Sequence, residues 1–223
     1  MEALVVGRRF AETREHFFPL FEEMAEDPEF LLRQTFAEQL SGIVELCKEA
    51  GTDDSYRAIL DDVLPRLAKL LADSQPEVRI AAGESLVAIA PSIRNEDLGH
   101  SVLTIVIQLA HDDEKEDLRM TAAVLLNELA PTLGPELCEQ FVLTEICYLA
   151  EDPEFRVRKA AALNMDAICR TVGPNKAVDR LLPAFLELTN VRVPQSGPGA
   201  CRFALPISYH FIGIGGAFFL FAG

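Results

Sequence analysis

The chain contains no tryptophan, only 4 histidines and 5 cysteines, and the cysteines lack the short paired spacing of a zinc site or a redox motif. An odd number of cysteines cannot all be joined to one another, and their scatter is typical of packing thiols in a reducing compartment. The five are Cys47, Cys138, Cys147, Cys169 and Cys201. We therefore expect a cytoplasmic protein, with access to the nucleus as an alternative, rather than a disulfide-stapled secreted domain.

Basic residues are also scarce, because 20 lysines and arginines stand against 35 aspartates and glutamates, which gives a net charge of −15. A surface of this sign repels phosphate backbones and anionic lipid, so nucleic acid is not a predicted partner. Residues 1–10 lack the apolar core of a signal peptide, and no stretch before residue 203 is apolar over the ~20 residues that a membrane helix needs. A membrane is therefore not an expected partner of the main part of the chain.

No set of residues has the spacing of a catalytic or metal site. His111 is followed by carboxylates at 112–114, but one histidine beside contiguous carboxylates lacks the spacing of a zinc or calcium site. We interpret these carboxylates as negative charge at the start of a helix, where it is stabilising. The sequence therefore predicts that the protein is not an enzyme, and it predicts no catalytic, cofactor-binding or metal-binding residue.

What the chain does contain is one signature repeated four times, in which an aspartate stands six residues before an arginine. The four segments are 27–33, 73–79, 113–119 and 152–158, and their starts are 46, 40 and 39 residues apart. A period near 40 residues with helical patterning on both sides is typical of a two-helix repeat, whose units bury their apolar faces against one another. The predicted fold is all-α, a stack of helix pairs that presents surface rather than a catalytic pocket.

Apolar residues at intervals of three and four predict where the helices lie. The first helices are expected at 17–24, 59–71, 102–109 and 141–149, and the second helices at 29–48, 76–91, 115–131 and 154–172. Each turn aspartate is expected to cap a second helix, with Pro28 and Pro153 at the first helical position. The expected stops of the second helices are Pro91, Pro131 with Gly134, and Gly173 with Pro174.

A proline recurs within the first helices, at Pro19, Pro65 and Pro183, and Thr104 and Thr144 take corresponding places. An interior proline removes a helical hydrogen bond and bends the helix axis. The sequence therefore predicts a kinked geometry that the first helices share.

The repeat pattern stops near residue 190. A fifth unit begins with a helix expected over 177–189, but neither a turn aspartate nor a second helix follows it. We predict a repeat domain over residues 1–190, with about four and a half repeats, and an irregular apolar tail over 191–223 outside the repeat fold. Because every valine codon begins with the bases GT, the change at Val191 is compatible with translation into an unspliced intron. A genuine C-terminus and a membrane anchor are the alternatives.

The repeated segments resemble HEAT repeats, in which the turn aspartate and the second-helix arginine form a ladder between neighbouring units. The segments DPEFRVRKA (152–160), DAICRTVG (166–173) and RLLP (180–183) resemble the regulatory subunit 1 family of serine/threonine-protein phosphatase 4, which is similar to the scaffold (A) subunit of protein phosphatase 2A. The resemblance covers about residues 15–190. It implies an α-α superhelix and a non-catalytic subunit that holds a metallophosphatase catalytic chain, with the metal chemistry belonging to that partner. Related scaffolds are longer and bind the catalytic chain on late repeats, so the chain looks like part of a larger array.

The same resemblance implies that the turns within repeats form the partner-binding ridge. The candidate ridge residues are Asp27, Glu29, Asp73, Glu77, Asp113, Glu116, Asp152 and Glu154, together with the basic cluster Arg156 and Lys159, which suits an acidic patch on a partner. The ladder arginines are Arg33, Arg79, Arg119 and Arg158, for which the alternative role is a basic stripe that binds a phosphorylated partner. The expected partners are a catalytic subunit of the phosphatase 4 or 2A type and other regulatory subunits. The alternative function is a HEAT-repeat transport or assembly adaptor of the importin kind.

Overall fold

The computed structural model describes residues 10, 12 and 14–184, and the backbone of residues 209–214 and 217–222. The chain divides into two compact units, Met1–Leu109 and Ala110–Gly223. Between residues 14 and 184 the structure describes helices and turns and no strand, so the repeat part is all-α as predicted. Residues 185–190 of the expected fifth first helix, and the segment 191–208, lie outside the described residues.

The first unit contains two complete helix pairs and the beginning of a third. The helices are α1 (Leu20–Ala25), α2 (Phe30–Ala50), α3 (Asp53–Ala58), α4 (Leu64–Leu71), α5 (Pro76–Ile89), the short α6 (Asn95–Asp97) and α7 (Thr104–Ala110). The second helices α2 and α5 pack along each other. Leu40, Leu67 and Leu86 are fully buried between the helices, and burying each such side chain stabilises the fold by about 1.5–3 kcal/mol.

The second unit continues the pattern with α8 (Glu116–Leu137), α9 (Leu143–Ala150), α10 (Phe155–Leu163), α11 (Asp166–Val172) and the short α12 (Pro174–Lys176). Helix α8 packs against both α10 and α11. The predicted stop at Pro131 with Gly134 is confirmed at Gly134, where the helix breaks, but not at Pro131, which lies inside α8. Gly134 has φ 77°, a left-handed conformation that only glycine adopts without strain. The predicted helix over 154–172 is also interrupted, between Leu163 and Asp166.

The first helices of the second and later helix pairs share a wide π-helical turn, in which each N–H bonds to the carbonyl five residues earlier. These turns cover Ile59–Val63, Leu98–Leu103, Cys138–Val142 and Ala177–Leu181. A shared departure from the regular helix was predicted from the prolines, but the turn also forms where Thr104 and Thr144 replace proline. The hydroxyl of Thr104 donates to the Gly99 carbonyl at 3.2 Å, and the Arg66 guanidinium donates to the carbonyls of Asp61 and Asp62 at 3.3 and 3.2 Å. Side chains thus bind carbonyls that the irregular turn exposes.

The tail contains one regular element that the sequence analysis did not predict. Strands β1 (Tyr209–Ile214) and β2 (Ala217–Ala222) pair in antiparallel register, with Tyr209 opposite Ala222 and Ile214 opposite Ala217. Phenylalanine and isoleucine favour strands, and a Gly-Gly pair between two such runs is a hairpin signal that the expectation of an irregular tail overlooked. Within the described residues, no helix combines the length and the apolar character that crossing a bilayer requires.

The turn ridge and the arginine ladder

The turns between first and second helices are closed by the predicted aspartates. In the first unit, Oδ1 of Asp27 accepts the N–H of Glu29 at 2.8 Å, and Oδ1 of Asp73 accepts the N–H of Gln75 at 2.8 Å. Because α2 starts at Phe30 and α5 at Pro76, these bonds close the turn just ahead of each helix rather than cap the helix itself. The expectation of a helix cap, with proline at the first helical position, therefore needs correction: Pro28 and Pro153 lie in the turns, and Pro76 occupies that position instead.

Each ladder arginine binds back to the turn of its own helix pair. The Nη1 atoms of Arg33 and Arg79 donate to the backbone carbonyls of Asp27 and Asp73, at 2.7 and 2.8 Å. In the second unit, Nη1 of Arg119 donates to the Asp112 carbonyl at 2.9 Å, and Nη1 of Arg158 donates to the Asp152 carbonyl at 2.7 Å. Each arginine stands six residues after the aspartate whose carbonyl it binds, or seven in the third turn. This spacing places its guanidinium against the backbone of the turn that precedes its helix.

The ladder contact between helix pairs is seen in the first unit at Arg33 and Asp73. Nε of Arg33 lies 2.6 Å from Oδ2 of Asp73, and Nη2 lies 2.9 Å from Oδ1. Such a two-point contact is the strongest geometry available to this pair of side chains. Burial by itself raises the pKa of Asp73, but hydrogen bonds from Arg33 and the Gln75 amide outweigh that effect, so the pKa lies below its ordinary value.

The second unit repeats this contact with deeper burial. Nε of Arg119 lies 2.7 Å from Oδ2 of Asp152, and Nη2 lies 3.1 Å from Oδ1. The Asp152 side chain is only 2% exposed. Its pKa is again raised by burial and lowered more strongly by hydrogen bonds from Arg119 and the Glu154 amide, with a net decrease. An aspartate that gains an arginine on folding is stabilising above the pKa of the unfolded chain, and this contribution is lost as the pH falls.

In the third turn, the aspartate that closes the turn is not the one that was predicted. Asp112, not Asp113, closes this turn, and its Oδ1 accepts the N–H groups of Glu114 and Lys115 at 3.0 and 2.7 Å. The turn has one extra residue, so the aspartate that stands six residues before Arg119 is not the structural equivalent of Asp27 and Asp73. Asp113 is exposed beside it.

The structure separates the predicted ridge residues into two groups. Asp73 and Asp152 bind ladder arginines, so their carboxylates serve the contact between helix pairs. Glu29, Glu77, Asp113 and Glu154 are exposed at the turns or helix starts, and Asp27 is half-buried. Within the basic cluster, Nη1 of Arg156 lies 2.5 Å from Glu116 and 3.5 Å from Asp117, while Lys159 is exposed. A partner-binding role for these residues stays a prediction.

Asn127 is a structural residue that the sequence analysis missed. It lies on α8, and its Oδ1 accepts the N–H groups of Ala167 and Ile168 at 2.9 and 3.3 Å, while Nδ2 donates to Asp166 at 3.2 Å. The start of α11 is therefore capped by a side chain from the preceding second helix. No local sequence signal marks such a cap, because donor and acceptor lie about forty residues apart.

The inter-repeat edge of the first unit carries a second set of polar contacts. The Tyr56 hydroxyl donates to Asp97 at 2.6 Å and accepts the N–H of Arg94 at 3.0 Å. The Arg94 guanidinium lies 4.1 Å from the Tyr56 ring centre and binds Asp53 at 2.9 Å. The second and third helix pairs are thus joined by hydrogen bonds and a cation–π contact at the end of the helices that lies away from the turn ridge.

His111, which the sequence analysis did not assign to a metal site, and the cysteines make ordinary structural contacts. Nε2 of His111 lies 2.7 Å from Glu145, and its ring stacks on Tyr148. Burial raises the pKa of the Cys47, Cys138 and Cys169 thiols to about 11, which keeps them neutral. Among the described residues, no three histidine, cysteine, aspartate or glutamate side chains are grouped to hold a metal ion. Cys201 lies outside the described residues.

Paired helices with closed aspartate turns and arginine contacts between neighbouring pairs define an α-helical repeat protein. Comparison with known proteins agrees with this class. Residues 19–127 match the model of the family described as HEAT repeats. The serine/threonine-protein phosphatase 4 regulatory subunits 1 of Homo sapiens and Mus musculus are each 30% identical to the chain over 149 residues. That match covers 66% of this chain but 16% of those relatives, so the chain spans a small part of their length.

Solved structures show the same fold at low sequence identity. The crystal structure of Cex1p superimposes with a TM-score of 0.53 at 16% identity, over 82% of this chain and 34% of that one. The karyopherin Kap121p, solved with the extreme C-terminus of the protein phosphatase Cdc14p, gives a TM-score of 0.56 at 18% identity, over 78% of this chain and 18% of its own. The chain is a HEAT-repeat protein, and its sequence resembles regulatory subunit 1 of phosphatase 4.

Proposed function

We propose that the protein is a non-catalytic regulatory or scaffold subunit of a serine/threonine phosphatase of the phosphatase 4 or 2A type. The observation that carries the proposal is the 30% identity over 149 residues to phosphatase 4 regulatory subunit 1. In this role the chain binds a catalytic subunit in the cytoplasm, with access to the nucleus as an alternative, and the partner supplies the metal chemistry.

The geometry of the turns supports a binding role of this kind. Asp73 and Asp152 are held by two-point contacts with arginines, so the turns that contain them have a fixed position relative to the preceding helix pair. The neighbouring carboxylates of Glu29, Glu77 and Glu154 are exposed. A partner therefore meets negative charges on preorganised turns, which reduces the entropy lost on binding.

The basic cluster on α10 adds a positively charged patch to the surface of the second unit, in contrast to the negative charges of the turns. The Arg156 side chain is 60% exposed although it pairs with Glu116, and Lys159 is exposed one helical turn further along. The Phe155 side chain beside them is also exposed, at 67%. An exposed aromatic ring beside exposed cations suits an acidic segment of a partner, because interface cores are enriched in aromatic residues and arginine.

Affinity purification of the tagged chain from cells, followed by mass spectrometry, tests the proposal. We expect a phosphatase catalytic chain to be recovered, and less of it with the Arg156→Glu, Lys159→Glu variant. The matched control is Arg170→Glu, Lys176→Glu, which reverses two exposed cations of the same unit that also pair with acidic residues. Recovery of a transport GTPase without a phosphatase would contradict the proposal and favour the importin-like adaptor.

Thermal melting of the same variants separates binding from folding. Exposed ion pairs contribute at most about 1 kcal/mol each, so both double variants are expected to melt close to the wild type. If loss of the partner follows loss of melting temperature equally in both, Arg156 and Lys159 are structural residues rather than binding residues.

A further inference from the structure

The second helices of the first unit each expose a large apolar side chain near the turn ridge. Leu31 on α2 is 60% exposed and Ile80 on α5 is 61% exposed. Leu86, on the same helix as Ile80, is fully buried, so α5 has an apolar side that faces the core and a separate apolar residue in water. Single apolar residues are common on protein surfaces, whereas neighbouring ones mark contact sites. The relative placement of Leu31 and Ile80 therefore decides their significance.

Contacts between α2 and α5 place the two residues on one flank. The ladder contact joins the starts of both helices, and further along them the Ser85 hydroxyl donates to the Ala37 carbonyl at 2.6 Å, so the helices run parallel. Ile80 and Leu31 stand five and six residues before this second contact, at nearly the same level. Because successive helix residues are about 100° apart, Ile80 lies about 140° around α5 from Ser85. Leu31 lies about 120° around α2 from Ala37, on the same side of the helix pair.

Carboxylates border the apolar pair on this flank. Glu77 and Glu84 stand three residues before and four residues after Ile80, one helical turn to either side of it. Glu38 stands seven residues after Leu31, two turns along α2. All three glutamates are exposed, and no lysine or arginine of the described residues binds their carboxylates. We call these five residues the acidic flank.

The acidic flank lies at the side of the stacked helix pairs, not at an end of the stack. Ala37 and Ser85 mark the faces by which α2 and α5 contact each other. A helix pair stacked before the first would cover the opposite side of α2, where Leu46 lies about 180° from Ala37. The residues of the acidic flank are about 80–140° from the contact faces, so stacking of further pairs would leave them in water.

The repeat fold does not require apolar residues at these positions. Ile80 directly follows a ladder arginine, and the residue that directly follows the ladder arginine of α10 is Lys159. Leu31 stands two residues before a ladder arginine, and the corresponding residue of α10 is Arg156. Since charged residues serve equally well there in the second unit, packing within the repeat does not explain Leu31 and Ile80.

We infer that the acidic flank binds an extended basic segment of a partner protein, with an apolar side chain of the segment against Leu31 and Ile80 and its cations against Glu77 and Glu84. Charge complementarity identifies the occupant, because these carboxylates lack cationic partners among the described residues, and nucleic acid and anionic lipid have the wrong sign. The inference does not depend on the phosphatase assignment.

The spacing of the carboxylates predicts the spacing of the cations. Glu77 and Glu84 are seven residues apart on one helix, which corresponds to about 10.5 Å along its axis. An extended chain rises about 3.3 Å per residue, so cations three residues apart match this separation. The predicted ligand therefore has the order basic, apolar, any residue, basic.

Fluorescence anisotropy with the full chain and labelled peptides tests the inference. The probe is a flexible glycine-serine peptide with the core Arg-Leu-Ser-Arg, and two control peptides replace its leucine with serine or both arginines with glutamate. We expect saturable binding of the probe, at least about threefold weaker binding without the leucine, and no binding of the glutamate peptide. Binding of the probe is expected to weaken as salt is added, because the carboxylates are exposed.

Matched variants assign that binding to the acidic flank. Glu77→Gln with Glu84→Gln is expected to weaken binding of the probe at least about fivefold, because it removes both charges that meet the arginines. The control is Glu23→Gln with Asp61→Asn, which removes two exposed carboxylates from the first helices of the same unit. Equal weakening in the control would show a general attraction to an acidic chain and overturn the inference.

The apolar part of the acidic flank has its own pair of variants. Ile80→Ser is expected to weaken binding of the probe at least about threefold, whereas Leu46→Ser, at a residue that is 57% exposed, is expected to leave it unchanged. Both side chains are exposed, so the helical circular dichroism is expected to stay. Absence of saturable binding to the wild type, equal binding of the peptide without leucine, or equal effects of the two serine variants would each overturn the inference.

Discussion

Asp27 and Asp73 hold the same place in successive turns and make the same turn hydrogen bond, and Asp73 also receives an arginine from the preceding helix pair. Residue spacing predicts the turn bond, since donor and acceptor are two residues apart. The bond to the arginine depends on a helix about forty residues away, so it is predictable only from the repeat as a whole. Spacing alone fails at the third turn. Because this turn has one extra residue, Asp112 and not the predicted Asp113 accepts the turn hydrogen bonds.

Matched aspartate substitutions measure the ladder contact at the residue scale. Asp73→Asn keeps an oxygen that can accept the Gln75 N–H but leaves the half-buried Arg33 without its counter-charge, so we expect a loss of about 2–3 kcal/mol in the free energy of unfolding. Asp27→Asn keeps the corresponding turn bond and, among the described residues, breaks no side-chain hydrogen bond with an arginine, so its cost is expected below about 0.5 kcal/mol. Urea unfolding of the full chain compares them, and equal losses would mean that the turn bond, not the ladder, carries the stability.

The pH dependence of stability is a second residue-scale prediction. The pKa values of Asp73 and Asp152 are lowered in the fold, where burial is outweighed by their arginines and backbone amides. Because an unfolded aspartate has a pKa of about 3.9, their stabilisation is present above that pH and is lost as the pH falls below it. Melting temperatures between pH 5 and pH 3 are therefore expected to fall less steeply in the Asp73→Asn, Asp152→Asn variant. An unchanged slope would show that other carboxylates control acid unfolding.

At the scale of elements, apolar periodicity predicts the helices well and their irregularities poorly. The second helix expected over 76–91 is observed at Pro76–Ile89, because its apolar residues follow the helical period. The break before Asp166 was not predicted, since it is capped by Asn127 from another helix. The prolines of the first helices indicated a shared kink, but the π-turns over Leu98–Leu103 and Cys138–Val142 form without proline and therefore belong to the packing of the repeat.

Proline substitution at Thr144 tests that interpretation. The residue before it, Leu143, has φ −60° and ψ −39°, the same values as Leu64, which precedes Pro65. We therefore expect Thr144→Pro to cost less than about 1 kcal/mol, whereas Glu128→Pro in the exposed interior of α8 is expected to cost about 3 kcal/mol or more. Chemical unfolding monitored by circular dichroism measures both. A loss at Thr144 as large as that at Glu128 would show that the proline sites are particular to their own repeats.

At the scale of the whole molecule, the repeat class follows from the sequence because the signature recurs at a period that only a few architectures use. The predicted boundary at residue 190 stays a prediction. The division into two compact units near residue 109 is a separate feature that the sequence pattern does not mark. The apolar pair of Leu31 and Ile80 was not predicted as one surface, because the contact that brings α2 beside α5 joins residues 48 apart in the sequence. The proposed function rests on the sequence resemblance to phosphatase 4 regulatory subunit 1, because the turn contacts described above serve the repeat fold and do not identify a substrate.

A calorimetric titration of the purified chain with a purified phosphatase 4 catalytic chain tests the proposed scaffold role most directly. We expect saturable one-to-one binding, weakened at least about tenfold by Arg156→Glu with Lys159→Glu and unchanged by Arg170→Glu with Lys176→Glu. We also expect phosphatase turnover only when the catalytic chain is present. Absence of saturable binding by the folded wild-type chain, or turnover by that chain alone, would show that the protein is not a non-catalytic phosphatase scaffold.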